Sequence, residues 1–382
     1  MMKKVLYFFV VLTLGLALIS GCQQSTDKKN GHEEHNHSKA NTRNEYAKSH
    51  HPKEKNLVTY KGEIKHVFFH PIIANPKKAF TGDKQSAKGN NDWMVTTSEF
   101  KKALKELHKR NYIIIDPHDA YALHSHPVKR KKLKLPKGKK PLILSIDDMN
   151  YYSYMRGHGY ADRLTLNKDH QVVSETKDKE GHKSYSKSND IVPILNDYVH
   201  KHPDFSFKGQ KGVVALTGYE GVLGYRTNEL HNKHYKHRKA QAKKVANAMK
   251  RDGWSFGSHS YGHINFEDSS YDQIVKDTRR WKDEVEPIIG KTDLFFFPHG
   301  AQDRGSESYK YLTDKEGFKY IAGVGPNNFT TVSKDDVYQD RVAIDGLNLY
   351  QFRSKLKGIV NPDKVYDKDD RKYFKGNKYY EQ

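Results

Sequence analysis

Leu142-Ile143-Leu144-Ser145-Ile146-Asp147-Asp148 is a short apolar run that ends in two adjacent carboxylates. The run reads as a buried strand. Consecutive side chains of a strand point to opposite faces, so the two carboxylates are predicted to meet different partners. Two carboxylates at the end of a buried strand are costly unless a cation or a proton compensates them. The same arrangement recurs twice: Trp254 to Ser258 runs into His259-Ser-Tyr-Gly-His263, and Leu294 to Phe297 runs into Pro298-His299-Gly300. The i, i+4 spacing of His259 and His263 predicts a turn of helix with both rings on one side. Adjacent carboxylates, paired imidazoles and a tight turn make up the donor set of a mononuclear hydrolytic metal site.

Working outward, the strands alternate with helices. Lys65 to His70, Tyr112 to Ile115, Val213 to Thr217 and Tyr320 to Val324 are further predicted strands. Thr96 and Glu99 form a capping box before Phe100, Leu104 and Leu107 at helical spacing. Further helices are predicted at Ile191 to Val199, about 238–251, Tyr271 to Ile289 and near 307–315. Apolar strands interleaved with amphipathic helices predict an α/β fold, a parallel sheet covered by helices, open or closed into a barrel. Function in such folds collects at the C-terminal ends of the strands, where His70 and all three segments fall. Residues 150–190 break the rhythm and read as an inserted β-hairpin, Arg163-Leu-Thr-Leu with Gln171-Val-Val-Ser. Tyr219-Glu220-Gly221 and Tyr225-Arg226 follow a strand and are candidates to line a sugar groove.

The chain opens with Lys3 and Lys4 before an apolar run from Val5 to Ile19, the pattern of a signal peptide. Leu18-Ile-Ser-Gly-Cys22 resembles the bacterial lipobox, which implies cleavage after residue 21 and a lipid on Cys22. The expected organisation is a signal peptide at 1–21, a tether at 22–58, a catalytic domain at 59–360 and a surface extension at 361–382. The tether carries His32, His35, His37, His50 and His51 with almost nothing apolar, and is expected to be disordered and able to hold a cation. Cys22 is the only cysteine, which excludes an intrachain disulfide and any Cys-ligated zinc site. A formal net charge of +21 favours anionic partners. The export signal argues against nucleic acid and for anionic wall polymer or the lipid surface at the extracytoplasmic face of the cell membrane.

Taken in order, these segments resemble the polysaccharide deacetylase family with the NodB-homology fold, a distorted (β/α) barrel, with the closest likeness to the branch acting on poly-N-acetylglucosamine. Leu144-Ser-Ile-Asp-Asp148 stands at the family's T-F-D-D-G motif, His259-Ser-Tyr-Gly-His263 at its H-[ST]-x-x-H motif, and Phe295-Phe-Phe-Pro-His-Gly300 at its arginine-proline-tyrosine-glycine turn. The resemblance implies that Asp148, His259 and His263 bind a divalent metal, zinc first and cobalt or nickel as alternatives. It makes Asp147 the general base, the His299 N–H an oxyanion donor, and Pro298 and Gly300 part of the substrate turn. The substrate would be an amino-sugar polysaccharide or peptidoglycan that loses acetate. Three departures stand out. Met149 replaces the motif glycine, a phenylalanine, Phe296 or Phe297, replaces the turn arginine, and no histidine follows His299, so His70 or His299 is left as the acid. Two other readings are an inactive descendant that binds glycan or wall polymer, and a metal-handling lipoprotein whose working part is the tether.

Overall fold

The computed structural model describes residues 56–300, 304–325 and 327–376. The leader, Cys22 and the histidines of the tether lie outside them. Seven parallel strands follow one another round a closed barrel in chain order: β1 (Lys65–Phe69), β2 (Lys140–Asp147), β3 (Val213–Leu216), β4 (Ser255–Ser258), β5 (Leu294–Phe296), β6 (Tyr320–Val324) and β7 (Val337–Ala343). Each pairs with the next, and β7 returns to β1 through Val342–Val67 and Ala343–Phe68. The expected α/β architecture is therefore closed. Tyr112–Ile114 adds an outer strand to the first half of β2, leaving Ser145 to Asp147 to pair with β3.

Alternation along the strands separates two environments. Leu142, Leu144 and Ile146 of β2 share an outer core with Phe100, Leu104 and Leu107 of helix α1 (Thr97–Lys109). Burying each such side chain is worth about 1.5–3 kcal/mol. The inward positions include polar residues instead. His66, Ser145, Gln339 and Arg341 are completely buried. His66 Nδ1 lies 2.9 Å from the Tyr320 hydroxyl and its Nε2 2.9 Å from Ser145 Oγ. The Tyr320 hydroxyl donates to Gln339 Oε1, and Gln339 Nε2 donates to the Ile64 carbonyl. Burial, followed by the nearby Arg341 cation, drives the His66 imidazole well below its ordinary value, so this polar column carries a neutral imidazole.

Four sequence expectations change. The strand at Leu57–Thr59 pairs with Lys134–Pro136, so ordered structure begins before residue 59. The insertion is a three-stranded antiparallel sheet, because Lys183–Ser186 joins Arg163–Leu166 and Val172–Lys177. The helix at Tyr271 to Ile289 is two helices, α4 (Tyr271–Glu284) and Glu286–Ile289, where Pro287 falls in the first turn of the second. Helices α2 (Ile191–Lys201) and α3 (Tyr235–Arg251) lie where expected, α3 starting earlier.

The stretch after Asn361 is not a surface extension. Arg371 is 1% exposed, and its Nε and Nη2 donate to the two oxygens of Glu99 at 3.0 and 2.7 Å. Glu99 also caps α1 by accepting the Thr96 N–H at 2.9 Å. One buried carboxylate thus starts a helix and anchors the tail. Arg371→Ala would leave that carboxylate uncompensated, and a loss of about 3–5 kcal/mol is expected in urea unfolding; an unchanged midpoint would refute the anchor.

Candidate metal centre

The ends of β2, β4 and β5 bring the three predicted segments together. Asp147 is the last residue of β2, and Asp148 follows it in the left-handed region at φ 62. That turn sends the two carboxylates to different partners. Tyr152 donates to Asp148 Oδ1 at 2.6 Å, leaving Oδ2 3.7 Å from His263 Nε2. Asp147 Oδ2 lies 3.7 Å from His259 Nε2. One ligand atom from each of Asp148, His259 and His263 falls within 4.8 Å of the others.

His259 and His263 do not share a helical turn. Ser260 and His263 both have positive φ, 58 and 54, so the segment is a loop. Its backbone is held from α4, where Asp277 accepts the N–H groups of Tyr261 and Gly262. The loop still sets the two rings 4.9 Å apart. His259 Nδ1 lies 2.8 Å from the Phe296 carbonyl and must donate to it, which leaves Nε2 as the lone-pair nitrogen facing the pocket. Burial brings the His259 pKa down to about 4, and burial followed by His299 lowers that of His263. Neutral imidazoles with a carboxylate beside them suit a divalent cation, so the residues present fit the metal that the sequence resemblance implies.

The positive charge missing from the turn comes from β7. Arg341 Nη1 donates to Asp147 Oδ1 at 2.7 Å and to Ser145 Oγ at 3.1 Å. The guanidinium lies over Phe68 and Phe296, 4.4 and 5.0 Å from their ring centroids. Phe296 faces the barrel interior, and its ring occupies the Arg341 side of the site. Phe297 instead packs outward with Phe266, Phe295 and Tyr309. Burial favours the neutral acid for Asp147, but Arg341 and then His259 outweigh it and hold the carboxyl down at about 2. Sequence reading gave no strand at Val337–Ala343 and so missed Arg341.

Residues 224–320 match the polysaccharide deacetylase family. The match spans 97 of the chain's 382 residues. The matched stretch contains the histidine loop and the Pro298-His299-Gly300 turn, while Asp147, Asp148 and Arg341 lie outside it. Among solved structures, the chain is 15% identical to the Streptococcus pyogenes deacetylase PplD in complex with acetate, over 79% of this chain and 99% of that one, with a TM-score of 0.44. It is 11% identical to IcaB from Ammonifex degensii, over 79% of this chain and 99% of that one, with a TM-score of 0.42. No curated protein matches the chain.

Around this centre, the other predicted residues divide. Asn150, just past the motif glycine position, is completely buried; its side chain donates to the Thr217 carbonyl at 2.8 Å and accepts the Thr217 N–H at 3.2 Å. The loop after the carboxylates is thereby tied to the end of β3 without a glycine. Tyr219 and Tyr154 both stack on Tyr152, at 4.9 and 5.9 Å, giving an aromatic tier beside Asp148. Arg226 turns its guanidinium onto the neighbouring loop backbone. Its guanidinium donates to the carbonyls of Glu220 and Tyr151 at 2.8 and 2.9 Å and pairs with Glu220, so it braces the loop from behind.

Pro298 is buried, and Gly300 has φ +68 with a notional Cβ 2.6 Å from Val324 Cβ, so both shape the turn. His299 is exposed, its ring 4.4 Å from that of His263. His70 stands at the end of β1 with its Nδ1 buried and unpartnered, close enough to Asp147 and His263 to act on the charge of both.

Proposed function

We propose that the domain hydrolyses N-acetyl groups of an amino-sugar polymer with the help of a divalent metal, zinc before cobalt or nickel, at the outer face of the cell membrane. The observation that carries the reading is Asp147, kept ionised by a buried arginine beside two neutral imidazoles and a second carboxylate. Asp148, His259 and His263 would hold the metal. When bound, such an ion polarises an amide carbonyl and acidifies water.

The chain's own groups do the rest. Asp147 accepts the proton of the attacking water, with Arg341 fixing which oxygen stays free for it. His259 keeps its Nε2 toward the pocket through its bond to Phe296. Tyr219 and Tyr154 offer ring faces for sugar to stack on, and the bracing of their loop by Arg226 limits its movement. His70, whose Nδ1 has no protein partner, delivers a proton to the departing amine. Replacing His70 by asparagine should lower kcat by roughly a hundredfold or more with KM little changed; a change only in KM would move His70 to binding. The missing turn arginine and the missing late histidine favour the inactive-descendant reading; Arg341, from another strand, supplies the first of these charges and so supports the active one.

The test is acetate release from N-acetylglucosamine oligomers by the full chain after loading with zinc, cobalt or nickel. No acetate from any acetylated amino-sugar polymer, with polymer binding retained, would leave a binding protein. The signal peptide, the lipid on Cys22 and attraction of the basic surface to anionic wall polymer belong to the same proposal. Loss of membrane association in Cys22→Ala checks the anchor.

A further inference from the structure

A second group of ligand atoms meets at the opposite end of the barrel. His118 and His124 lie in the connection between Tyr112–Ile114 and β2, and Asp293 immediately precedes β5. The Asp293 backbone carbonyl accepts the N–H groups of Lys319 and Tyr320 at 2.7 and 3.0 Å, which fixes this residue at the start of two barrel strands. Its carboxylate is straddled by two imidazoles. His118 Nε2 is 2.8 Å from Oδ1, and His124 Nε2 is 3.2 Å from Oδ2. Ligand atoms of all three residues lie within 4.8 Å of one another.

The layer behind these atoms is also built. Asp116, 3% exposed, lies 2.6 Å from His118 Nδ1 and accepts the hydroxyl proton of Ser255, the first residue of β4. A carboxylate behind an imidazole fixes the ring and raises the basicity of the other nitrogen, as it does for metal-ligating histidines generally. Burial disfavours the charged ring of His118, but Asp116 and Asp293 outweigh it and raise the pKa to about 9, so this end of the barrel holds a positive charge and a cation bound at Nε2 would take the place of the proton there.

We propose that His118, His124 and Asp293 form a second divalent-cation site, of zinc class, that fastens the connection carrying both histidines to the floor of the barrel. Two imidazoles and one carboxylate are borderline ligands suited to zinc, with a fourth position for water. The site is separate from the catalytic one. Ser255, bonded to Asp116, and His259 are separated by the length of β4, on the order of 13 Å at about 3.3 Å per residue, so one cation cannot serve both. The role at the barrel floor is structural, because the strand ends that carry Asp147 and Asp148 lie at the other rim.

The full chain dialysed against zinc should retain one zinc fewer in His124→Ala than in wild type. His259→Ala should lose a different one, and the double variant should lose two. His124 is 79% exposed, so its replacement leaves packing intact. Any zinc held by the histidine-rich tether is common to all variants and cancels in the differences. Zinc-edge scattering from crystals of the wild type should place an ion about 2.0–2.2 Å from His118 Nε2, His124 Nε2 and an Asp293 oxygen. Equal zinc content in wild type and His124→Ala, or an ion between Asp148, His259 and His263 with none at Asp293, would overturn the second site and leave the first untouched.

Discussion

Asp147→Asn is expected to lower the rate of acetate release by roughly a hundred- to ten-thousand-fold, the usual contribution of a positioned general base, while zinc content stays at the wild-type level. Asparagine keeps the shape of the side chain but cannot take a proton from water. It also leaves Arg341 without its anion, so some loss of stability should accompany the loss of rate. The ligand set of Asp148, His259 and His263 is untouched, which separates a defect in proton transfer from a defect in metal loading. A variant that stayed within about tenfold of wild-type kcat would remove Asp147 from the role of base.

Arg341→Met is expected to have the larger effect on folding. The guanidinium is completely buried and bonded to Asp147, so its removal strands a buried carboxylate and should cost about 3–5 kcal/mol in urea unfolding. The pH dependence follows from the sign of the shift. Asp147 is held at about 2 in the folded protein, below the ordinary unfolded value of about 3.9. It therefore contributes stability that is present above pH 3.9 and is lost as pH falls through about 2. Without Arg341, burial dominates and the carboxyl protonates at higher pH. The acid limb of kcat/KM should then move upward. Arg341→Lys keeps a charge without the planar fork, and should fall between the two in stability and in the position of that limb. An acid limb at the same pH in wild type and both variants would show that Arg341 does not control the base.

The strands legible in the sequence beside the site are apolar runs that end where a chemical residue begins. Leu142 to Ile146 and Leu294 to Phe297 announce themselves in this way. β7 did not, because the inward positions Gln339 and Arg341 are polar and find partners distant in the chain, among them Tyr320, Ser145 and Asp147. A buried polar strand has no hydrophobic periodicity to detect. The same blindness concealed the packing of the tail, since a run rich in Lys and Asp gives no hint that Arg371 meets Glu99 far away in the chain. The resemblance implied Asp148, His259 and His263 as ligands, but the left-handed turns at Asp148, Ser260 and His263 that set these segments were not legible in the sequence. Such turns are imposed by the loop bonds from Asp277 and Tyr152 rather than by residue type.

The strand order has a consequence for the timing of assembly. β7 is the last barrel strand to be made and the one that meets β1 to close the ring. The Asp147 counter-ion therefore reaches the site only when nearly all of the chain is available. A growing polypeptide holds the carboxylates and both histidines before it has Arg341, so Asp147 lacks the charge that keeps it ionised. Ring closure and the pairing of Asp147 arrive in one step, and a chain cut anywhere before Arg341 loses both together.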